Sequence, residues 1–353
     1  MQLKRFSPFF RPRSESSRRP LPPATKVGIQ SSLAAASCAL LGQGAAQGAE
    51  VDTAVLTYVE PGRVSAVEAV AQGSKELRNG HILGFKFVYD ALTGASANGA
   101  TPADRVQTFT RPSGQGSYSV DPGKTPLDTT FKDNRFALSG SWNFPVGRLS
   151  SATLGTNLST ETDYFSAGLS GSISRDLFLR NTTVSAGFSA SADRINPQGG
   201  TPDPLTPMIA PTGGGHEGDF RRDDEGGGGP GGPAEHKNVV EGLVGVSQVL
   251  DRHTVMQLNY SASHFSGYQT DPYKILSVVA GASATTPGDP VDYLYEKRPD
   301  NRTKQSLYGE VRRRVGSDVA DVSYRYFWDD WGIHSHTIDV HYDHQLGATY
   351  DIT

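Results

Sequence analysis

The side chains best equipped for chemistry in this sequence are charged residues that recur at every second position of extended-type segments. Lys86, Asp90, Arg135, Glu310, Arg312, Arg314, Asp321, Arg325, Asp339, His341 and Asp343 all fall in the polar phase of that alternation. A ladder of fixed charges of both signs can line a watery passage and select solutes by charge. The same ladder can instead brace a narrow interior through ion pairs, and the two readings depend on lumen width, which strand number sets.

Other groupings point to chemistry that the spacing does not sustain. Asp339, His341 and Asp343 share one face of an extended segment, with His334, His336 and His344 on the other. Residues two apart on a strand sit about 7 Å from each other, so one ion could scarcely gather all three, and no metal site is assigned. Ser261 and Ser263 lie beside His264, but alternation explains them, His264 falling on the opposite, lipid-directed phase. No nucleophile elbow or ordered triad occurs, so no catalytic residue and no enzyme activity is expected. The run from Gly213 to Pro233 mixes His216, Glu217, Asp219, Asp223, Asp224 and Glu225 with glycine. It has neither calcium-loop spacing nor the strand-to-helix setting of a phosphate loop, and no cofactor is expected. Tyr324, Tyr326, Trp328 and Trp331 read as an interfacial girdle near strand ends rather than a ligand platform.

The elements that position these residues follow from composition and period. Glycine makes up 40 of 353 residues, 36% are hydrophobic and 20% charged, which leaves little for a helical, oil-cored globule. The net charge of −4 supplies no basic field, so nucleic acid is excluded as a partner. From Val51 onward, segments of about ten alternating residues separated by turns repeat; in 254–265, Met256, Leu258, Tyr260 and Ala262 share one face and Gln257, Asn259, Ser261 and Ser263 the other. Strands are predicted near 51–59, 63–75, 80–91, 132–144, 149–160, 163–173, 181–192, 239–250, 254–266, 303–314, 319–329 and 333–346. Long connections at 94–130, 194–237 and 268–301 alternate with tight turns such as Pro145-Val146-Gly147 and Asp251-Arg252-His253. Soluble sandwiches have no reason to keep that asymmetry, whereas bacterial barrels place short turns in the periplasm and long loops outside. The expected fold is therefore an all-β, antiparallel transmembrane barrel spanning residues 50–353, with the lipid bilayer of the outer membrane as its partner. A two-residue Gly316-Ser317 turn places Arg312 across from Asp321 and puts Leu307, Val311, Val322, Tyr324 and Tyr326 on the other face.

The first 49 residues differ in kind. Basic residues from Lys4 to Lys26 precede an Ala/Leu-rich stretch at 27–41, the pattern of a signal peptide. Cys38 is the sole cysteine and lies inside it, within a stretch that resembles a lipobox. At the other end, Gly347 reads as a turn and Ala348 to Thr353 as the start of a strand; a closed barrel leaves no edge unpaired in lipid, so further strands are expected beyond Thr353.

Several stretches resemble the uncharacterised outer-membrane β-barrel family known as domain of unknown function 3570. They are Leu92-Thr93-Gly94-Ala95-Ser96 with Asn98-Gly99-Ala100, Arg111-Pro112-Ser113-Gly114, Arg180-Asn181-Thr182-Thr183, Gly267-Tyr268 with Thr270-Asp271-Pro272-Tyr273-Lys274, Tyr295-Glu296-Lys297-Arg298-Pro299-Asp300, and Tyr324-Arg325-Tyr326 with Trp328-Asp329-Asp330-Trp331-Gly332. The glycine-rich insert at 212–236 departs from the pattern. The resemblance implies fold and location, without an assigned activity or catalytic residue. Members occur near flavin-transferring and thioredoxin-like envelope proteins, so the resemblance also points to extracytoplasmic redox work and to a periplasmic or envelope protein partner. On residues and resemblance together, the expected function is a porin-like or transport channel for a small polar or charged solute, the alternative being a non-conducting structural or interaction barrel of an envelope, redox-related complex.

Overall fold

The computed structural model describes residues 49–61, 63–110, 117–197, 200–209, 232–346 and 350–352. The segment read as a signal up to Gly48, the Arg111-Pro112-Ser113-Gly114 stretch, most of the glycine-rich insert and the turn at Gly347 lie outside the described residues.

The chain is a meander of antiparallel strands: β1 (Ala49–Glu60), β2 (Val64–Glu76), β3 (Ile82–Ala97), β4 (Gln107–Thr110), β5 (Ser117–Val120), β6 (Leu127–Pro145), β7 (Ser150–Thr160), β8 (Tyr164–Leu177), β9 (Thr182–Ile195), β10 (Glu235–Asp251), β11 (Thr254–Gly267), β12 (Ile275–Val279), β13 (Pro290–Tyr295), β14 (Asn301–Val315), β15 (Asp318–Asp329), β16 (His334–Leu346) and β17 (Tyr350–Ile352). Among the described residues, thirteen of them form one sheet in the order β1-β2-β3-β6-β7-β8-β9-β10-β11-β14-β15-β16-β17. Each is hydrogen-bonded to its neighbour in the chain once the hairpins β4–β5 and β12–β13 are set aside, the up-and-down order of a barrel wall. All twelve predicted strands are present in this wall. β3 and β6 run several residues past the predicted ends, pairing through a bulge between Gly94 and Ser96.

Register decides which side chains face which solvent. Val315 pairs with Asp318 across Gly316-Ser317, and Gly316 has φ +65°, the sign that the first loop position of a primed hairpin turn requires. Arg312 accordingly lies across from Asp321 and Val311 from Val322. One face of the sheet bears large apolar side chains left open: Val55, Leu138, Leu169, Phe188, Ile338 and Val340 are each more than half exposed. A water-facing surface of that size would be an aggregation liability; against hydrocarbon it is the favourable solution. On this face the Phe85 ring covers Gly73 and the Phe188 ring covers Gly171, a cross-strand aromatic filling the space a glycine leaves.

The other face is polar and small. Asn143 Nδ2 donates to Thr153 Oγ1 at 2.8 Å, and the Ser151 and Ser174 hydroxyls lie 2.9 Å apart. Oil-like packing is found elsewhere, at the end of the sheet where the long connections gather. There Phe109, fully buried, packs with Ala100, Val120, Ile275 and Tyr295, and with Tyr118, Met208, Ile209 and Tyr293 at its border.

Candidate functional site: the inner wall and its outer cap

The charged residues singled out from the sequence occupy two separate regions of the inner face. On β3 and β6, Asp90 and Arg135 are cross-strand partners and form an ion pair, Nη2 to Oδ2 at 2.5 Å and Nε to Oδ2 at 2.6 Å. Lys86, two inner-facing positions away from Asp90, lies across from Gln72 and Ser139. The remaining eight sit on β14, β15 and β16, separated from the first group by β7 to β11 in the order of the sheet. Tyr308 Oη donates to Glu310 at 2.7 Å. Arg312 faces Asp321, which faces His341 in turn, and Glu310, Arg312 and His341 are all within electrostatic reach of Asp321. His341 Nε2 is 2.6 Å from Asp339 Oδ1, while Asp343 lies across from Val319. Arg314 is at the turn, its Nε donating to Gly316 O at 2.9 Å. Arg325 lies over the Tyr308 ring, 6.0 Å from its centroid. Period two thus puts the charges on one face, and cross-strand pairing joins several of them.

The other groupings fall apart in space. His264 faces outward with its Nδ1 3.1 Å from Thr303 Oγ1, whereas Ser263 faces inward and donates to Glu241. His334 and His336 contact the Tyr326 and Tyr324 hydroxyls on the outer face, where Tyr326 stacks on Trp328 at 5.2 Å. That is the geometry of an interfacial girdle. Trp331 has a different part: Arg302 lies 4.3 Å above its ring and also pairs with Asp329.

Two features escaped the sequence reading. The first is a charged belt where the inner wall meets the long loops. Asp193, almost wholly buried, accepts from the Tyr164 hydroxyl, from Ser166 at 2.7 Å and lies 3.4 Å from Lys237 Nζ. Glu241 accepts from Ser189 at 3.0 Å and Ser263 at 3.1 Å. Lys237, Glu241 and Lys304 occupy the same alternating phase as the predicted ladder, so extending that phase toward the strand ends was the signal available.

The second is the cap. The long connections were expected as loops, but the first and third contain hairpins, β4–β5 and β12–β13. Residues 205–209, from the second, add to the edge of β13: Leu205 donates to Tyr295 O at 3.1 Å and Met208 to Tyr293 O at 2.8 Å. Phe109 meets Tyr293 edge-on at 5.0 Å and Tyr118 at 5.5 Å. Asn98 Nδ2 donates to Tyr118 Oη at 2.7 Å, and burial pushes that phenol up to about 12, so it stays neutral. Three connections distant in sequence therefore fold as one unit. Many of the family-like stretches converge here: Lys274 donates to Ala97 O, Arg298 pairs with Glu296 at 2.8 Å, and Gly267 N–H donates to Asp300 O at 2.8 Å. The alternation Gln107-Thr108-Phe109-Thr110 and the run Ile275-Leu276-Ser277-Val278-Val279 carried the signal for the hairpins. Near this end, carboxylate oxygens of Asp133, Glu161 and Asp163 lie within 4.8 Å of one another.

An up-and-down antiparallel wall with one apolar and one polar face has the architecture of a membrane-spanning β-barrel, and its location is the outer membrane. The chain belongs to the family described as Protein of unknown function (DUF3570), whose model matches residues 30–353. No curated protein matches the sequence. Similar solved structures include the siderophore receptor PirA from Acinetobacter baumannii, with TM-score 0.40, 8% identity and coverage of 85% of this chain and 41% of that one. The ferric enterobactin receptor PfeA from Pseudomonas aeruginosa has TM-score 0.39 and 9% identity, with 87% of this chain and 43% of that one covered. LpxR from Salmonella typhimurium has TM-score 0.33 and 8% identity, over 79% and 88%. The chain thus spans about two fifths of the length of the two receptors.

Proposed function

We propose that the protein passes a small polar or charged solute across the outer membrane through its polar interior, as a porin-like or transport channel. The observation that supports this reading is the inner face itself. Hydroxyl, amide and charged side chains predominate in one phase of the wall strands β6 to β11 and β14 to β16, while the opposite phase is mostly apolar. A wall built only to hold a fold has no need to keep that much polar surface on its concave side, and such surface is what lets water and solutes enter a barrel. The reading requires no catalytic residue, cofactor or metal. Full-length protein reconstituted in planar bilayers tests it: stable, reproducible conductance is expected, and a well-folded barrel that never conducts would overturn it.

The cap favours a second reading, a non-conducting barrel that presents a folded outer surface or serves an envelope partner. Three connections sharing a hydrophobic core make a platform rather than an open rim. The same recording separates the two, since the second reading expects silence from folded protein.

A further inference from the structure

We propose that Lys304, with Arg325 deeper on the same β14–β15 wall, binds a small anionic solute inside the barrel. This names the solute class of the passage described above and rests on that reading of the interior.

The argument starts from how the neighbouring charges are satisfied. Arg302, Asp329, Lys237 and Glu241 all lie within electrostatic reach of Lys304. Every carboxylate in that set, and Asp193 beside it, has other donors. Asp329 takes the Arg302 guanidinium together with the backbone N–H groups of Trp331 at 3.0 Å and Ile333 at 2.8 Å. Glu241 takes Ser189 and Ser263, one on each oxygen. Asp193 takes Tyr164, Ser166 and Lys237. Lys304 is left with an aromatic contact, its Nζ 4.2 Å from the Phe265 ring centroid. Among the described residues its ammonium has no hydrogen-bond or ion-pair partner, although the side chain is half-buried on the inner wall.

Arg325 repeats the arrangement. It faces the Tyr308 ring, and among the described residues no carboxylate or carbonyl accepts from its guanidinium. Tyr308 is its cross-strand neighbour and lies four residues below Lys304 on β14, about 13 Å along the strand. Aromatic faces hold both cations in place without consuming their N–H donors. Half-buried cations whose N–H donors no protein acceptor takes up, among the described residues, can offer those donors to an anion that enters the interior. Three ammonium donors and five guanidinium donors suit the oxygens of a phosphate, sulfate or carboxylate.

The test uses full-length protein and two readouts. Isothermal titration with inorganic phosphate, on barrel whose folding is verified by heat-modifiable gel mobility, should show binding that weakens about tenfold in Lys304→Gln and is retained in Lys304→Arg. In planar bilayers under a KCl gradient, Lys304→Glu with Arg325→Glu should move the reversal potential toward that of potassium, and Lys304→Arg should leave it where it is. Conductance with selectivity indifferent to these charges, or phosphate binding unchanged in Lys304→Gln, would overturn the anion site while leaving the channel. A silent barrel that binds phosphate through Lys304 would sink the channel and keep the site; a silent barrel without such binding would sink both.

Discussion

Ile275 donates its backbone N–H to the carbonyl of Asn98 at 2.7 Å, and this bond stitches the third long connection to the first just where the first leaves β3. Phe109 plugs the space beneath that seam with no exposure to solvent. Removing its ring leaves a cavity bounded by Tyr118 and Tyr293, and a Phe→Ala change in such a site costs about 3–5 kcal/mol. The cost falls on the cap, because the wall is held by its own ladder of backbone bonds. Phe109→Ala should therefore open residues 98–126 and 268–300 to protease on intact cells while the heat-modifiable folded band persists. Loss of the folded band, or unchanged resistance of both segments, would show that cap and wall are not separate in this way.

Glu161, in the turn between β7 and β8, is pushed up to about 7, first by burial and then by the nearby charges of Asp133 and Asp163. The unfolded side chain titrates near 4.5. Below that both states are protonated and no penalty arises. Between about 4.5 and 7 the unfolded chain ionises first, so stability falls as pH rises, and above 7 the penalty is fully present. The urea midpoint of the folded gel band should accordingly decline from pH 5 to pH 8, and Glu161→Gln should flatten that decline. An identical pH slope in the variant would remove Glu161 as its source.

What the sequence disclosed and what it hid divide along physical lines. Leu258 against Asn259, or Val311 against Arg312, differ by one step of a period-two pattern, and a single sequence displays that pattern directly. Arg312 and Asp321 are joined by a two-residue turn, so their register was legible too. Asp90 and Arg135 were placed on the inner face, yet their pairing depends on how the chain closes over the long first connection, which carries its own hairpin. The cap was hidden for the same reason. Phe109, Met208 and Tyr293 come from three different connections, and nothing local announces that they meet. Lys304 was passed over because its significance lies in the donors that Glu241 and Asp329 already have, which only their positions reveal.

The orientation of the wall can be read from outside. Residues 281–288, between β12 and β13, are exposed on the capped end, whereas Gly316-Ser317 is a tight turn at the other. An epitope inserted between Gly281 and Gly288 should be reached by antibody on intact cells. One inserted between Gly316 and Ser317 should be hidden until the outer membrane is opened. Reversed accessibility would turn the cap toward the periplasm and, with it, the assignment of outer connections.

The two faces of β15 make opposite demands on a new charge. Arg312 and Asp321 are directly opposed on the inner face, where an opposite-charge cross-strand pair contributes roughly 0.2–1 kcal/mol. Arg312→Glu sets like charges against each other there, yet water and counter-charges remain within reach, so insertion into the membrane should stay largely intact. Exchanging the partners, Arg312→Asp with Asp321→Arg, should recover much of the lost stability. Val322, next to Asp321 in the chain, is about half exposed on the outer face. An arginine placed near the middle of the hydrocarbon costs about 2–4 kcal/mol in a barrel, so Val322→Arg should cut the yield of folded, inserted protein far more than Arg312→Glu does. Gel-shift folding assays of the variants side by side measure the contrast. If Val322→Arg folded normally and Arg312→Glu failed to insert, the inner and outer faces would be exchanged, and the charged ladder from Lys86 to Asp343 would have to lie against lipid.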